Sequence, residues 1–271
     1  MPMGLPLDGK AAIVSGAGNG LGEAMTSALA AAGASVVAVD LDEVALESVV
    51  SRAAGQIVPA KADVTSDSDM ERVVDLCSKH FGHIDVVVCN AGIGMSSIRA
   101  DYHTNPINFW EVDPQIVSRF LDVNVVGAFR LARAAVSRMR EQRWGRIVSV
   151  TTSLSTMMRK GNSPYGPSKA AHEALAAVMA GDLAGSGVTV NVLVPGGAAD
   201  TSMVPDTEAV DRSKLVKPKM MGPPIVWLAS GESDGVTARR FIAKDWDASL
   251  PVDEAARRCS APIAWGTLES E

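Results

Sequence analysis

The chain has 271 residues, 47% of them hydrophobic and 21% charged, long enough for one large α/β domain with a well-buried core. Its net charge of −6 and isoelectric point near 5.3 argue against nucleic acid or an anionic membrane as a partner. The uncharged span 24–39 is broken by Gly33 and is too mixed to cross a membrane. The N-terminus lacks a basic region followed by an apolar core, so no secretory signal is expected. The scattered Cys77, Cys89 and Cys259 fit a reducing cytoplasm.

In chain order, short apolar runs alternate with amphipathic stretches, the pattern of a doubly wound sheet. Strands are expected near 11–15, 35–39, 57–60, 84–89, 146–150, 188–194 and 240–243. Helices are expected near 20–32, 42–53, 67–80, 114–141, 167–184 and 222–229. No repeat, low-complexity tract or linker divides the chain. The expectation is therefore a single Rossmann-type α/β domain, with a mostly seven-stranded parallel sheet and helices on both faces. Its ligand cleft should lie along the carboxyl ends of the strands.

The first strand runs into Ser15-Gly16-Ala17-Gly18-Asn19-Gly20-Leu21-Gly22 and then an Ala-rich helix. Such a turn lets the backbone close on a pyrophosphate, whose charge is met by the amides and dipole of the helix N-terminus. The second strand ends at Asp40, 18 residues after Gly22, where an acid can accept hydrogen bonds from the adenosine ribose hydroxyls. Cys89 closes the apolar run Val86-Val87-Val88-Cys89 and reads as a small core residue.

Two long stretches depart from the alternation. Residues 93–113 carry Tyr102, His103, Phe109 and Trp110, either a roof over a substrate pocket or a surface excursion or subunit contact. Residues 198–221 carry Thr201, Met203, Val204 and a Lys-rich segment, and Met203, Met220 and Met221 suit an adaptable apolar wall or ordinary packing. Between these stretches, Tyr165 and Lys169 stand four positions apart and share one helix face. An ammonium about 4 Å from a phenol contributes roughly 1 to 4 kcal/mol in a partly dry cleft. That is enough to pull a tyrosine from about pH 10 toward the neutral range, where it can exchange protons. His172 is two turns from Tyr165 and should face a neighbouring helix, while His80 and His83 should be solvated. No cluster has metal-ligand spacing, so no metal is expected. The tail from about 245 to Glu271, with Trp265 near its end, is open to three roles: covering the cleft, extending an interface, or partial disorder.

Gly-x-x-x-Gly-x-Gly and Tyr-x-x-x-Lys are accompanied, in order, by Asp63-Val64, Asn90-Ala91-Gly92, Asn124 in Val123-Asn124-Val125-Val126-Gly127, and Pro195-Gly196. Together they resemble the short-chain dehydrogenase/reductase family over about residues 8–243. The resemblance implies hydride transfer between a nicotinamide and a secondary alcohol or ketone, with Tyr165 as general acid and base. Lys169 would depress the tyrosine's pKa and bond the nicotinamide ribose, and Asn124 would hold a water linking the lysine to solvent. Ser15, Gly16, Gly18, Asn19, Gly20, Leu21, Gly22, Asp40 and Leu41 would form the adenosine and phosphate side. Asp63 and Val64 would flank the adenine, although Asp63 could instead be a plain turn acid. Asn90, Ala91, Gly92, Pro195 and Gly196 would border the dinucleotide, and Thr201 would meet its carboxamide or phosphates.

The family's substrate-orienting serine lies thirteen positions before the tyrosine, which here is Thr152, with Ser153 next door. Neighbours on an extended segment point to opposite sides, so only one should face the cleft. Asp40 would repel a 2′-phosphate, Asp42 adds negative charge, and neither Ala17 nor Leu41 is basic, so NAD is expected rather than NADP. Closed symmetry and the resemblance imply a homo-oligomer, a dimer or tetramer. The implied substrates are small or medium apolar secondary alcohols and their ketones. The alternatives are an NADPH-dependent 3-oxoacyl reductase and a non-catalytic NAD-binding regulatory protein.

Overall fold

Runs of Val, Ile and Ala too short for helices become the strands of one sheet. The computed structural model describes residues 5–206 and 210–264. Its strands are β1 (Ala11–Ser15), β2 (Ser35–Asp40), β3 (Ile57–Lys61), β4 (Val86–Cys89), β5 (Gly145–Val150), β6 (Val188–Val194), β7 (Arg239–Ile242) and β8 (Ser260–Pro262). The helices are α1 (Gly20–Ala31), α2 (Glu43–Arg52), α3 (Asp67–Phe81), α4 (Pro114–Leu121), α5 (Gly127–Gln142), α6 (Leu154–Met157), α7 (Tyr165–Asp182), α8 (Gly222–Ala229) and α9 (Val252–Arg258).

The sheet runs β3-β2-β1-β4-β5-β6-β7-β8, and β8 alone is antiparallel to its neighbour. Alternate residues of each strand enter opposite cores. Ala12, Val14 and Val36 join Leu29 of α1 and Ile225 and Leu228 of α8. Ile13 and Val37 join Val73 of α3, Leu131 of α5 and Ala176 of α7 on the other face. Each such Val, Leu or Ile stabilises the fold by roughly 1.5 to 3 kcal/mol when fully buried. Because β1 lies between β2 and β4, the chain departs from it in both directions, and a crevice opens above the carboxyl ends of β1 and β4. Among the described residues no helix is long and apolar enough to cross a membrane.

The parallel sheet agrees with the sequence expectation, and three differences follow from packing. The helix expected over 114–141 is interrupted by a π-helical turn, Asp122–Val126, which carries Asn124. One widened turn leaves the apolar periodicity nearly intact, so the pattern does not reveal it. The turn α6 is absent from the expectation; Ser153 begins it by accepting a hydrogen bond from the Thr156 amide at 3.2 Å. An eighth strand replaces the open tail. Trp246 packs on Trp227 with ring centroids 6.0 Å apart, α9 follows, and β8 extends the sheet edge. No residue from 245 to 264 lines the cleft, and Trp265 to Glu271 lie outside the described residues.

Candidate active site

At the β1 end, the side chains of Ser15 and Asn90 lace two loops together. Ser15 Oγ donates to the Val88 carbonyl at 3.2 Å and accepts from the amides of Asn90 and Ala91 at 3.1 and 3.2 Å. The Asn90 side-chain amide donates to the carbonyls of Ser15 and Gly16, each at 3.0 Å. Gly16 has φ +65°, and a Cβ there would stand 2.8 Å from Ala91 Cα. A Cβ on Gly22 would stand 1.9 Å from the Gly16 carbonyl oxygen. Only glycine permits these approaches.

Asn19, which precedes α1, makes no side-chain cap; its Oδ1 accepts from Ser202 Oγ at 3.1 Å. The first amides of α1 therefore have no capping side chain, the condition in which a helix N-terminus takes an anion. Asp40 ends β2 with Oδ2 accepting from the Gly18 amide at 2.9 Å and Oδ1 from the Asp42 amide at 3.1 Å. Asp42 itself caps α2 through Ala45.

These residues border a cleft of about 660 Å³. Gly16, Asn19, Gly20, Leu21, Gly22, Asp40, Leu41, Asp63, Val64, Asn90, Ala91, Gly92, Pro195 and Thr201 line it. Asp63 lines the cleft, and its carboxylate closes a turn by accepting from Thr65 N and Oγ1 at 2.8 Å each. Three of the expected cofactor residues do not line the cleft. Ser15 is buried as the brace between the loops. Gly18 does not line the cleft, and its amide holds Asp40. Gly196, at φ +92°, turns toward Ile242 and Lys244 and leaves Gly197 at the surface of the cleft. The uncapped helix start, the glycine floor and the acid at β2 fit a dinucleotide.

At the β5 end, Tyr165 opens α7 and Lys169 follows one turn later. Lys169 is buried, and its Nζ donates to the Val150 carbonyl at 2.9 Å. A Cβ on Gly92 would stand 3.0 Å from Asn124 Oδ1 and 3.3 Å from Lys169 Nζ, so Gly92 is the floor on which those groups meet. Asn124 joins loop to helix. Its Oδ1 accepts from the Ile93 amide at 2.8 Å, and its Nδ2 donates to Ile93 O at 3.1 Å and Ser168 Oγ at 2.9 Å. Thr152 lines the cleft and its hydroxyl faces the Tyr165 phenol. Ser153 instead caps α6 and does not line the cleft.

The expected electrostatics of this pair are reversed in the protein alone. Burial pushes the Tyr165 phenol up to about 12, against a downward pull from the Thr152 hydroxyl. Burial brings Lys169 down to about 8. Tyr165 keeps some surface at the cleft, so an incoming group can still reach the phenol. The lysine's charge is directed at the Val150 carbonyl, and desolvation outweighs it at the tyrosine.

Side chains unmarked by any motif complete this end. Tyr102, His103, Thr156, Arg159 and Asn162 line the cleft. Beneath them Glu173 of α7 pairs with Arg240 of β7 and accepts from Thr151 Oγ1 at 2.7 Å. Arg240 also donates to the Thr152 carbonyl at 2.6 Å, and Glu173 Oε1 accepts from the Ala264 amide at 3.2 Å. This buried pair fixes the backbone that presents Thr152.

In the 93–113 stretch Tyr102 and His103 border the cleft, while Phe109 and Trp110 are 72% and 71% exposed. The 198–221 stretch is stapled by Asp200, which pairs with Arg212 at 2.7 Å and Lys217 at 2.9 Å. Met203 lines the cleft, where its carbonyl accepts from Ser96 Oγ at 3.0 Å, whereas Met221 is core. His172 is buried away from the cleft with no partner for either ring nitrogen among the described residues, and burial holds it down at about 3. Cys77, Cys89 and Cys259 are buried thiols raised by burial to about 12, 12 and 11. The described residues contain no cluster of three or more His, Cys, Asp or Glu able to hold a metal.

Comparison with known proteins bears on this geometry. Residues 10–211 match the family model described as short chain dehydrogenase. The 3-oxoacyl-[acyl-carrier-protein] reductase of Thermotoga maritima is 31% identical over 246 residues, covering 86% of this chain and 95% of the reductase. Among solved structures, 7α-hydroxysteroid dehydrogenase with NADH and 7-oxo glycochenodeoxycholic acid aligns with TM-score 0.77 and 28% identity, covering 86% of this chain and 92% of that one. The 3-ketoacyl-(acyl-carrier-protein) reductase of Brucella melitensis with NADH aligns with TM-score 0.75 and 27% identity, covering 85% and 95%.

Proposed function

The chain belongs to the short-chain dehydrogenase family, and from that premise we propose that it is an NAD-dependent oxidoreductase acting on a secondary alcohol or its ketone. The observation that carries this is one cleft with Asp40 at one end and Tyr165, Thr152 and Lys169 at the other. When bound, the dinucleotide supplies the hydride acceptor or donor and, in its oxidised form, a positive ring charge.

The chain's own residues manage the proton. Tyr165, uncharged in the protein alone, gives its proton to the carbonyl oxygen in reduction. In oxidation it must first lose that proton to solvent, which the positive ring charge of the oxidised dinucleotide would favour, and the phenolate then takes the proton of the alcohol. The Thr152 hydroxyl orients that oxygen as charge develops. Lys169 bonds the nicotinamide ribose, and Asn124 ties the Ile93 loop to α7 beside it. Asp40 accepts from the ribose hydroxyls and disfavours a 2′-phosphate. Gly92, Pro195 and Thr201 border the nicotinamide side. Leu121, Val126 and Phe129 are exposed on the α4–α5 side and support a homo-oligomer.

The test is NADH formation across a panel of secondary alcohols, with Tyr165→Phe beside the wild type. Turnover lost in the variant is the expected result; turnover unchanged by it overturns the assignment. A second reading, an NADPH-dependent 3-oxoacyl reductase, is favoured by the Thermotoga and Brucella relatives. Asp40 and the NADH in the Brucella structure count against NADPH, and comparing NADH with NADPH on an acyl thioester decides between them.

A further inference from the structure

Thr152 and Tyr165 are joined by a segment that carries Arg159 to the rim of the cleft. The segment is anchored on both sides. Asn162 Nδ2 donates to the Thr156 carbonyl at 2.7 Å, and the Gly166 amide donates to the Asn162 carbonyl at 2.7 Å. Gly161, at φ +75°, lies so close to Pro106 that a Cβ would stand 2.8 Å from the proline's Cβ. Arg159 thus projects from the place where the segment meets the 93–113 loop.

Neighbouring arginines on the two roofing stretches are neutralised: Arg99 by Glu111 and Arg212 by Asp200. No carboxylate of the described residues pairs with Arg159. Its nearest electrostatic partners are aromatic. Burial raises Tyr102 against the charge of Arg159, and burial together with that charge lowers His103. The two rings lie 4.1 Å apart, and Tyr102 adds to the burial that raises Tyr165. Tyr165, Tyr102, His103 and Arg159 all line the same cleft. His103 is already below its usual range through burial and Arg159, so the permanent charge beside these rings is Arg159, while Arg119 and Lys169 line other parts of the cleft. In a chain of net charge −6, the long-range field repels anions, so an anionic ligand needs a local cation. A wholly apolar substrate would instead cover a guanidinium without pairing it, which is unfavourable.

We propose that the substrate is an oxo or hydroxy acid, with a carboxylate paired to Arg159 while the reacting carbon stands at Tyr165. This rests on the dehydrogenase reading and replaces the apolar substrate class expected from the sequence with an anionic one. The flat guanidinium fork matches a carboxylate in two-point contact.

The test uses oxo acids of increasing length, from 4-oxopentanoate upward, each paired with its methyl ester. Binding is followed by the fluorescence of NADH held by the protein, and reduction by its oxidation. For the chain length that spans the cleft, the wild type should favour acid over ester by about tenfold or more. Arg159→Gln should bring that ratio near one, and Arg159→Lys should restore part of it because the charge returns without the fork. A wild-type ratio at or below one for every length, or a ratio unchanged in Arg159→Gln, overturns the proposal. Acids that bind in an Arg159-dependent way but are never reduced would instead overturn the dehydrogenase reading and leave the anion site standing.

Discussion

Around β1, β2 and β4 the wall of the cleft is mostly backbone. Gly16, Gly22 and Gly92 bring main chain within reach of a ligand, the uncapped start of α1 supplies amides, and Asp40 adds one charge. Around β5, α7 and the two long loops the wall is side chain. Tyr102, Thr152, Arg159, Tyr165 and Met203 come from four separate segments, and a buried ion pair between α7 and β7 sets the level of Thr152. A backbone site is fixed by local geometry and suits a constant ligand. A side-chain site depends on how loops dock and can be changed one residue at a time.

The largest effects should come from breaking the side-chain end. Tyr165→Phe should lower kcat by about 10³-fold while leaving the NADH dissociation constant within about threefold, as read by fluorescence titration. Loss of binding instead of turnover would show that the two ends are not separable. Arg240→Met leaves Glu173 buried without its cation and should destabilise the fold by about 3 to 5 kcal/mol, seen in chemical denaturation. Replacing both partners with apolar residues should recover most of that stability, and a double variant no better than the single one would contradict the pairing.

Lys169 tests the boundary between the ends. Its folded value of about 8 lies below the ordinary 10.5, so between those pH values the unfolded chain binds more protons. Stability should therefore rise with pH across that window, by up to about 3 kcal/mol. Tyr165, raised from 10.0 to about 12, works in the opposite sense: stability should fall from about pH 10 upward. Melting curves of Lys169→Met should lack the rise and keep the fall. The smallest effect belongs to the backbone end. Asp40→Ala should reduce the preference for NAD over NADP by about tenfold, measured as the ratio of kcat/KM values. An unchanged ratio would remove Asp40 from ribose recognition.

Much of the fold and the backbone end of the site could be read from residue order. Alternating apolar runs specify strands, glycines at close spacing specify a turn with no room for side chains, and an acid at the end of β2 needs only the strand to position it. Tyr165 and Lys169 were legible for the same reason, since helical periodicity alone puts them on one face. What could not be read depends on contacts between residues far apart in the chain. The choice of Thr152 over Ser153 was made by α6, whose N-cap takes the Ser153 hydroxyl. The direction of the Tyr165 and Lys169 pKa shifts was set by burial, which outweighs their proximity in sequence. The π-turn at Asn124, the eighth strand, and the position of Arg159 beside Tyr102 all arise from packing. A sequence determines local geometry because a few neighbouring dihedral angles produce it, whereas desolvation and loop docking exist only once the whole surface has closed.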